Sequence, residues 1–180
     1  VTLDNLVVTT ALPVIRTSLG ASITDLQWFV NAYTLPFAAF LLTAAALGDR
    51  IGRRRMFIAG IAVFTLASAA AAIAVEPWQL IAARSVQGLA GAAVAPLSLT
   101  LLAQAVPDRM RSAAVGIWGG ISGLGVAVGP VVGGAVVEGL DWSWIFWLNV
   151  PVGVLAVVLA ATVLPESRGG AVRLDPLGLL

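Results

Sequence analysis

Apolar residues fill this chain in long blocks, and short polar clusters separate them. A membrane-spanning helix needs about 20 mostly apolar residues. Six blocks of that kind fit: 1–19, 26–47, 55–75, 78–104, 112–137 and 144–164. The first reads as clipped at its start. Ser22, Thr24 and Asp25 stand ahead of the second block as candidate N-caps. Glu76 and Pro77 lead into the fourth, and Pro165 closes the sixth. The stretch 165–180 follows as a polar linker and the start of a further helix. The pattern predicts an all-α polytopic membrane protein with a six-helix bundle over 1–164.

The short connections make neighbouring helices antiparallel, and their charges alternate. Arg50, Arg53, Arg54 and Arg55 lie in loop 48–55, Arg109 and Arg111 in loop 105–111, and Arg168 and Arg173 in the tail. The opposite connections carry Asp25, Glu76, Glu138 and Asp141, with Arg16 nearby. Arg-rich loops stay in the cytoplasm, so the N-terminus and the 165–180 linker are expected there, on the inner face of the cell membrane.

Composition narrows the classes further. The chain has 180 residues, 59% hydrophobic and 11% charged, which is too apolar for a soluble domain. A net charge of +1 gives no footing for nucleic acid. With no Cys and no His, disulfides, Cys or His metal sites and His-based catalysis are excluded. No metal or organic cofactor is expected. The first residue is Val, no signal peptide is recognisable, and the end DPLGLL looks like a helix beginning. The chain reads as a piece of a longer protein.

Charge inside a span is costly, roughly 2.5–3.5 kcal/mol at the centre, and marks a functional candidate. Asp4 and Arg84 qualify. Arg84 reads either as a pin to carbonyls of a neighbouring helix or as a buried cation that biases a proton or substrate site. Asp4 reads either as a buried proton carrier or as a cap in the interface. The loop LGDRIGRRRMF satisfies topology with its arginines alone. Gly48, Asp49 and Gly52 add a tight turn and an acid able to pair with an Arg or sit at a helix N-terminus, a conformational latch with Arg50, Arg53 and Arg54. In the fifth block, Gly125, Gly129 and Gly133 recur every four residues, a ridge for close helix approach. Pro130 should bend that helix.

Trp28, Trp78, Trp142, Trp144 and Trp147 lie towards outer helix ends, as an interfacial belt would place them. Tyr33, Phe37 and Trp118 lie deeper and either pack or line a substrate cavity. Asn31 and Gln87 either join that cavity or hold helices together.

Several of these stretches carry a resemblance. Leu47, Asp49, Arg50, Gly52, Arg53 and Arg54 fit the major facilitator superfamily signature G-x-L-a-D-r-x-G-r-k, with Ala45 for its leading Gly. Leu80, Arg84, Gln87, Gly88 and Ala92 fit its fourth-helix pattern, with Ala90 where a Gly is usual. Gly116, Gly125, Gly129, Pro130, Gly133 and Gly134 are similar to the antiporter motif of proton-driven exporters. Asp4, Ala11, Leu12 and Pro13 resemble the first-helix motif of the drug:proton antiporter branch with fourteen helices; Leu6 and Thr9 depart from it. Trp142, Trp144, Phe146, Asn149, Pro151 and Gly153 resemble its sixth-helix motif, with Ser143 in place of Arg.

The resemblance implies the N-terminal six-helix half of a major facilitator transporter, not an enzyme. It implies proton-driven efflux of drugs or other lipophilic molecules, with Asp4 and Arg84 as proton-coupling residues and the proton gradient as sole energy source. Its partners would be the small-molecule substrate, protons, the bilayer and a C-terminal half that the glycine ridge packs against. The alternatives are a dedicated exporter of a self-made antibiotic, siderophore or other metabolite, or a proton-coupled nutrient importer.

Overall fold

A computed structural model describes residues 2–139 and 141–169. The expected helix start in DPLGLL, with Arg173, lies outside them, as does the side chain of Glu138. The described residues form helices α1 (Thr2–Leu19), α2 (Ile23–Ile51), α3 (Arg53–Ala72) and α4 (Pro77–Ala105), then a 3₁₀ turn at Asp108–Met110. Helices α5 (Arg111–Gly139), α6 (Trp144–Trp147) and α7 (Asn149–Val163) follow. No strand occurs among the described residues.

Local chemistry explains the boundaries. Ser22 caps α2: its hydroxyl accepts from the Asp25 amide at 3.2 Å, and the Asp25 carboxylate accepts from the Ser22 amide at 2.8 Å. Pro77 stands in the first turn of α4, where its missing N–H costs nothing. The Gln79 side chain there accepts from the amides of Val75 and Glu76. The sixth block was expected as one helix, and Trp144–Val163 does run as one apolar helical stretch, in which Leu148 keeps helical dihedrals (φ −60°, ψ −30°) while one ladder hydrogen bond is missing. Pro151 has no N–H for the carbonyl of Trp147 four residues back, so the ladder is interrupted there.

The Arg-rich loop differs from expectation too. α2 continues to Ile51 and α3 begins at Arg53, leaving Gly52 alone between them, at φ 129°. That conformation favours Gly. Gly48 is helical rather than part of a turn. A Cβ on it would lie 2.8 Å from Leu97 Cδ2, so its smallness serves helix packing.

Among the described residues, five helical stretches are long and apolar enough to cross a membrane: Ile23–Ile51, Arg53–Ala72, Pro77–Ala105, Asp108–Ala135 and Trp144–Val163. α1, which carries Asp4, Asn5 and Arg16 within 18 residues, is not among them. It joins the bundle through a buried face of Val7, Val8, Ala11 and Ile15, against Phe29, Leu80 and Phe146.

α4 is the hub, packed on both α2 and α3; α1 packs on α5, and α3 on α7. Lipid is as apolar as these side chains, so close van der Waals contact through small residues holds the helices together. A Cβ on Gly88 would overlap the backbone carbonyl of Tyr33, which brings α4 directly onto α2. A Cβ on Gly133 would stand 3.2 Å from Val7 Cγ1 and 3.3 Å from Thr10 Cβ. The glycine ridge was expected to pack on a helix outside this chain; at Gly133 it packs on α1. Gly129 is buried and Gly125 half-buried, whereas added Cβ atoms at Gly116, Gly119, Gly120, Gly123 and Gly134 would meet nothing within 4 Å. α5 runs unbroken across Pro130.

Trp142 also departs from expectation. It is 4% exposed and belongs to the core, not to a belt. Its indole N–H donates to Ser18 Oγ at 2.9 Å, and its ring meets Phe146 edge-on at 6.2 Å. Trp28, Trp78, Trp144 and Trp147 are exposed, as a belt requires.

Gly88→Val should separate α2 from α4, because backbone rather than a movable side chain blocks the new atoms. The expected loss is about 3 kcal/mol, read as a lowered thermal midpoint of the purified protein. An unchanged midpoint would refute this account of Gly88.

Candidate functional site

The two in-span charges meet. Asp4 on α1 and Arg84 on α4 both have side chains 0% exposed, and Arg84 Nη1 donates to Asp4 Oδ2 at 2.5 Å. This settles the placement of Asp4: it is buried inside the bundle and does not cap an interface. Arg84 directs its other donors to fixed acceptors. Its Nε reaches the Phe29 carbonyl of α2 at 3.1 Å, its Nη2 reaches Asn5 Oδ1 at 2.8 Å, and Nη1 also reaches Gln87 Oε1 at 3.1 Å. The guanidinium carbon lies 4.4 Å from the centre of the Tyr33 ring, a cation–π arrangement. Arg84 is thus a pin to a neighbouring carbonyl and also the counter-charge of a buried carboxylate.

The network extends to two further helices. Asn149 at the start of α7 donates from Nδ2 to Asp4 Oδ1 at 2.6 Å. Gln87 Nε2 donates to Ser68 Oγ of α3 at 2.7 Å, and Ser68 donates on to the Phe64 carbonyl at 2.9 Å. Both oxygens of Asp4 are engaged, and among the described residues no buried side-chain nitrogen or oxygen lacks a partner. A buried ion pair adds little net stability compared with apolar packing, but losing one partner leaves an exposed cost of several kcal/mol. Such a site specifies one packing and responds sharply to a change of charge.

Of the residues singled out from sequence, Asp4, Arg84, Gln87, Tyr33 and Asn149 converge here. Phe37 adjoins the site by stacking on Tyr33, with centroids 5.8 Å apart. Asn31 is exposed, and Trp118 instead donates to Ser98 Oγ across α5 and α4. Trp144 and Pro151 are exposed. Gly153 lies against Thr65, with no room for a Cβ beside Thr65 Oγ1. Asn5 and Ser68 were missed. Asn5 had a signal in its place beside Asp4, whereas Ser68 resembles any small residue of an apolar helix.

A second polar cluster forms where α2 meets α3. Asp49 pairs with Arg53 at 2.6 Å. The tail after α7 folds back over it. Glu166 Oε1 accepts from the Arg54 amide at 3.1 Å, and its Oε2 lies 3.6 Å from Arg55 Nε. The Arg54 guanidinium donates to the Ala161 carbonyl. The Arg53 amide donates to the Ser167 carbonyl at 2.9 Å, and the Gly169 amide to the Asp49 carbonyl at 3.0 Å. Arg50 is exposed. The sequence showed no reason to join 166–169 to this loop, more than a hundred residues away in the chain.

The sequence profile of the Major Facilitator Superfamily matches residues 1–179. The chain belongs to that superfamily. It is an integral membrane protein with the family's all-α polytopic fold, in its N-terminal six-helix half. Among relatives, it is 44% identical to the puromycin resistance protein pur8 of Streptomyces alboniger, over 100% of this chain and 36% of that protein. It is 40% identical to the tetracenomycin C resistance and export protein of Streptomyces glaucescens, over 93% of this chain and 31% of that protein. The chain therefore spans about a third of the length of these curated relatives. Its fold matches the xylose transporter XylE from E. coli in an inward open conformation, with a TM-score of 0.74 and 15% identity, over 92% of this chain and 45% of that one. The family is one of transporters, and one of these relatives is an export protein.

Arg84→Leu alone should destabilise the folded protein by about 3–5 kcal/mol, since it strands the Asp4 carboxylate. The double variant Asp4→Leu/Arg84→Leu should recover most of that loss. Denaturation of both variants in the same detergent checks this; a double variant no more stable than the single one would contradict the pairing.

Proposed function

We propose that the whole protein is a secondary active exporter that drives lipophilic small molecules, drugs among them, out of the cell against inward proton flow. The observation that carries this reading is the fully buried Asp4 carboxylate shared between Arg84 and Asn149. A carboxylate in that setting can accept a proton. Once neutral, it leaves Arg84 as an uncompensated buried cation, and the packing held by the network loses its advantage. A second packing of the two halves then becomes favoured, which is how paired repeats rock around a central site. The proton gradient serves as the only energy source, with no metal, organic cofactor or catalytic group.

The latch has a matching place in this scheme. Asp49 with Arg53, and Glu166 with the amide of Arg54 and with Arg55, hold α2, α3 and the tail together at one end of the bundle. We assign that end to the cytoplasm, on the charge of its loops, and the latch to the outward-open packing. Tyr33 and Phe37 are the aromatic wall on the substrate side. The open glycine face of α5 at Gly116, Gly119, Gly120 and Gly123 is the contact for the C-terminal half. The two Streptomyces relatives, a puromycin resistance protein and a tetracenomycin C resistance and export protein, support an antibiotic-like substrate. The tetracenomycin C export protein also favours a second reading, a dedicated exporter of a self-made antibiotic.

The test uses the full-length protein in liposomes with an imposed pH gradient and ethidium as probe. Asp4→Asn and Arg84→Ala should each abolish gradient-driven ethidium movement while still inserting. Parental transport by Asp4→Asn would overturn the assignment of Asp4 as proton carrier.

A further inference from the structure

We infer that Asn149 is a positioning residue that controls proton exchange at Asp4, acting as a removable cover on one carboxylate oxygen. The inference rests on the reading of Asp4 as the proton carrier and adds what regulates it. Asp4 offers two oxygens with different partners. Oδ2 is bound by Arg84, itself anchored by the Phe29 carbonyl, Asn5 and Gln87, so that side is fixed. Oδ1 is bound by the neutral amide of Asn149, at 2.6 Å. A neutral amide can turn away without stranding a charge, whereas Arg84 cannot.

The surroundings give that amide room to move. Asn149 borders a cavity of about 250 Å³ between α3, α4 and α7, together with Phe64, Thr65, Val94 and Gly153. One side of Asn149 therefore holds the carboxylate, and the other faces open space. Two local features set it there. Asn149 opens α7, where Pro151 leaves the Trp147 carbonyl without its ladder donor. Gly153, one turn later, lies directly against Thr65, which brings α7 close to α3. A larger residue at 153 would push α7 outward and draw Asn149 away from α1.

The other groups around Asp4 leave this role to Asn149. α4 contributes Arg84 and Gln87, and α2 contributes Tyr33, whose ring lies against the guanidinium. α3 contributes Ser68, through Gln87. α5 packs along α1, with Gly133 beside Val7 and Thr10. Among the described residues, Arg84 is the charged side chain that touches Asp4.

A donor to a carboxylate oxygen favours its charged form, so proton binding at Asp4 reports whether Asn149 acts on it. The test is an infrared pH titration of the full-length protein in lipid nanodiscs, following the protonated-carboxyl stretching band that Asp4→Asn removes. Asn149→Ala should displace the midpoint of that band from its position in the parent protein. Gly153→Val, with Asn149 retained, should move it in the same direction and guards against a poorly folding Asn149→Ala. A band that Asp4→Asn removes, with a midpoint unmoved in both variants, would overturn the role of Asn149 and leave Asp4 as carrier. Absence of any such band would overturn the Asp4 reading and this inference together.

Discussion

A guanidinium with no access to water must find every partner inside the protein. Arg84 does so, and the bundle is arranged around that requirement. Its acceptors come from α1, from the α2 backbone and from its own helix, and its carboxylate partner is in turn bound from α7. These contacts fix the relative depth and rotation of helices whose apolar faces would otherwise slide over one another. Apolar packing in lipid has little directional preference, so the polar network supplies the register.

Close approach makes the network possible. The side chain of Arg84 reaches Phe29 and Tyr33 because Gly88, one turn along α4, admits the α2 backbone. Asn149 reaches Asp4 because Gly153 admits α3. In each pair a glycine removes volume and a polar residue nearby uses the proximity. The same division appears at the other cluster, where Gly52 adopts a positive φ and Glu166 occupies the space a side chain would take. The cluster at Asp49 is partly exposed, and its ion pairs are individually weak. It suits a contact that opens and closes, whereas the buried pair suits a contact that changes only with protonation.

Much of this was legible in the residues. Long apolar blocks with polar breaks fixed the helices to within a few residues, because a spanning helix must satisfy its backbone internally and has a set minimum length. Asp4 and Arg84 stood out because charge is rare in such blocks. The errors have a common cause. Trp142 was placed in a belt because its position near a helix end was visible, while its partners Ser18 and Phe146 were not. Gly133 was assigned to an absent helix because spacing reveals a smooth ridge but not its neighbour. Gly48 looked like a turn residue because glycine in a polar loop and glycine in a helix contact are the same letter.

The sequence by itself determined that the chain lies in a membrane, how many apolar blocks it has, and which two charges are out of place there. Those properties follow from composition and length along a single helix. Only the tertiary structure decided that the two charges pair, that Asn149 completes the pair, and that residues 166–169 close over the Arg-rich loop. The physical reason is range. A helix reports its own faces through its periodicity, but a contact between residues 80 or 145 positions apart depends on crossing geometry and on which glycines let two backbones meet.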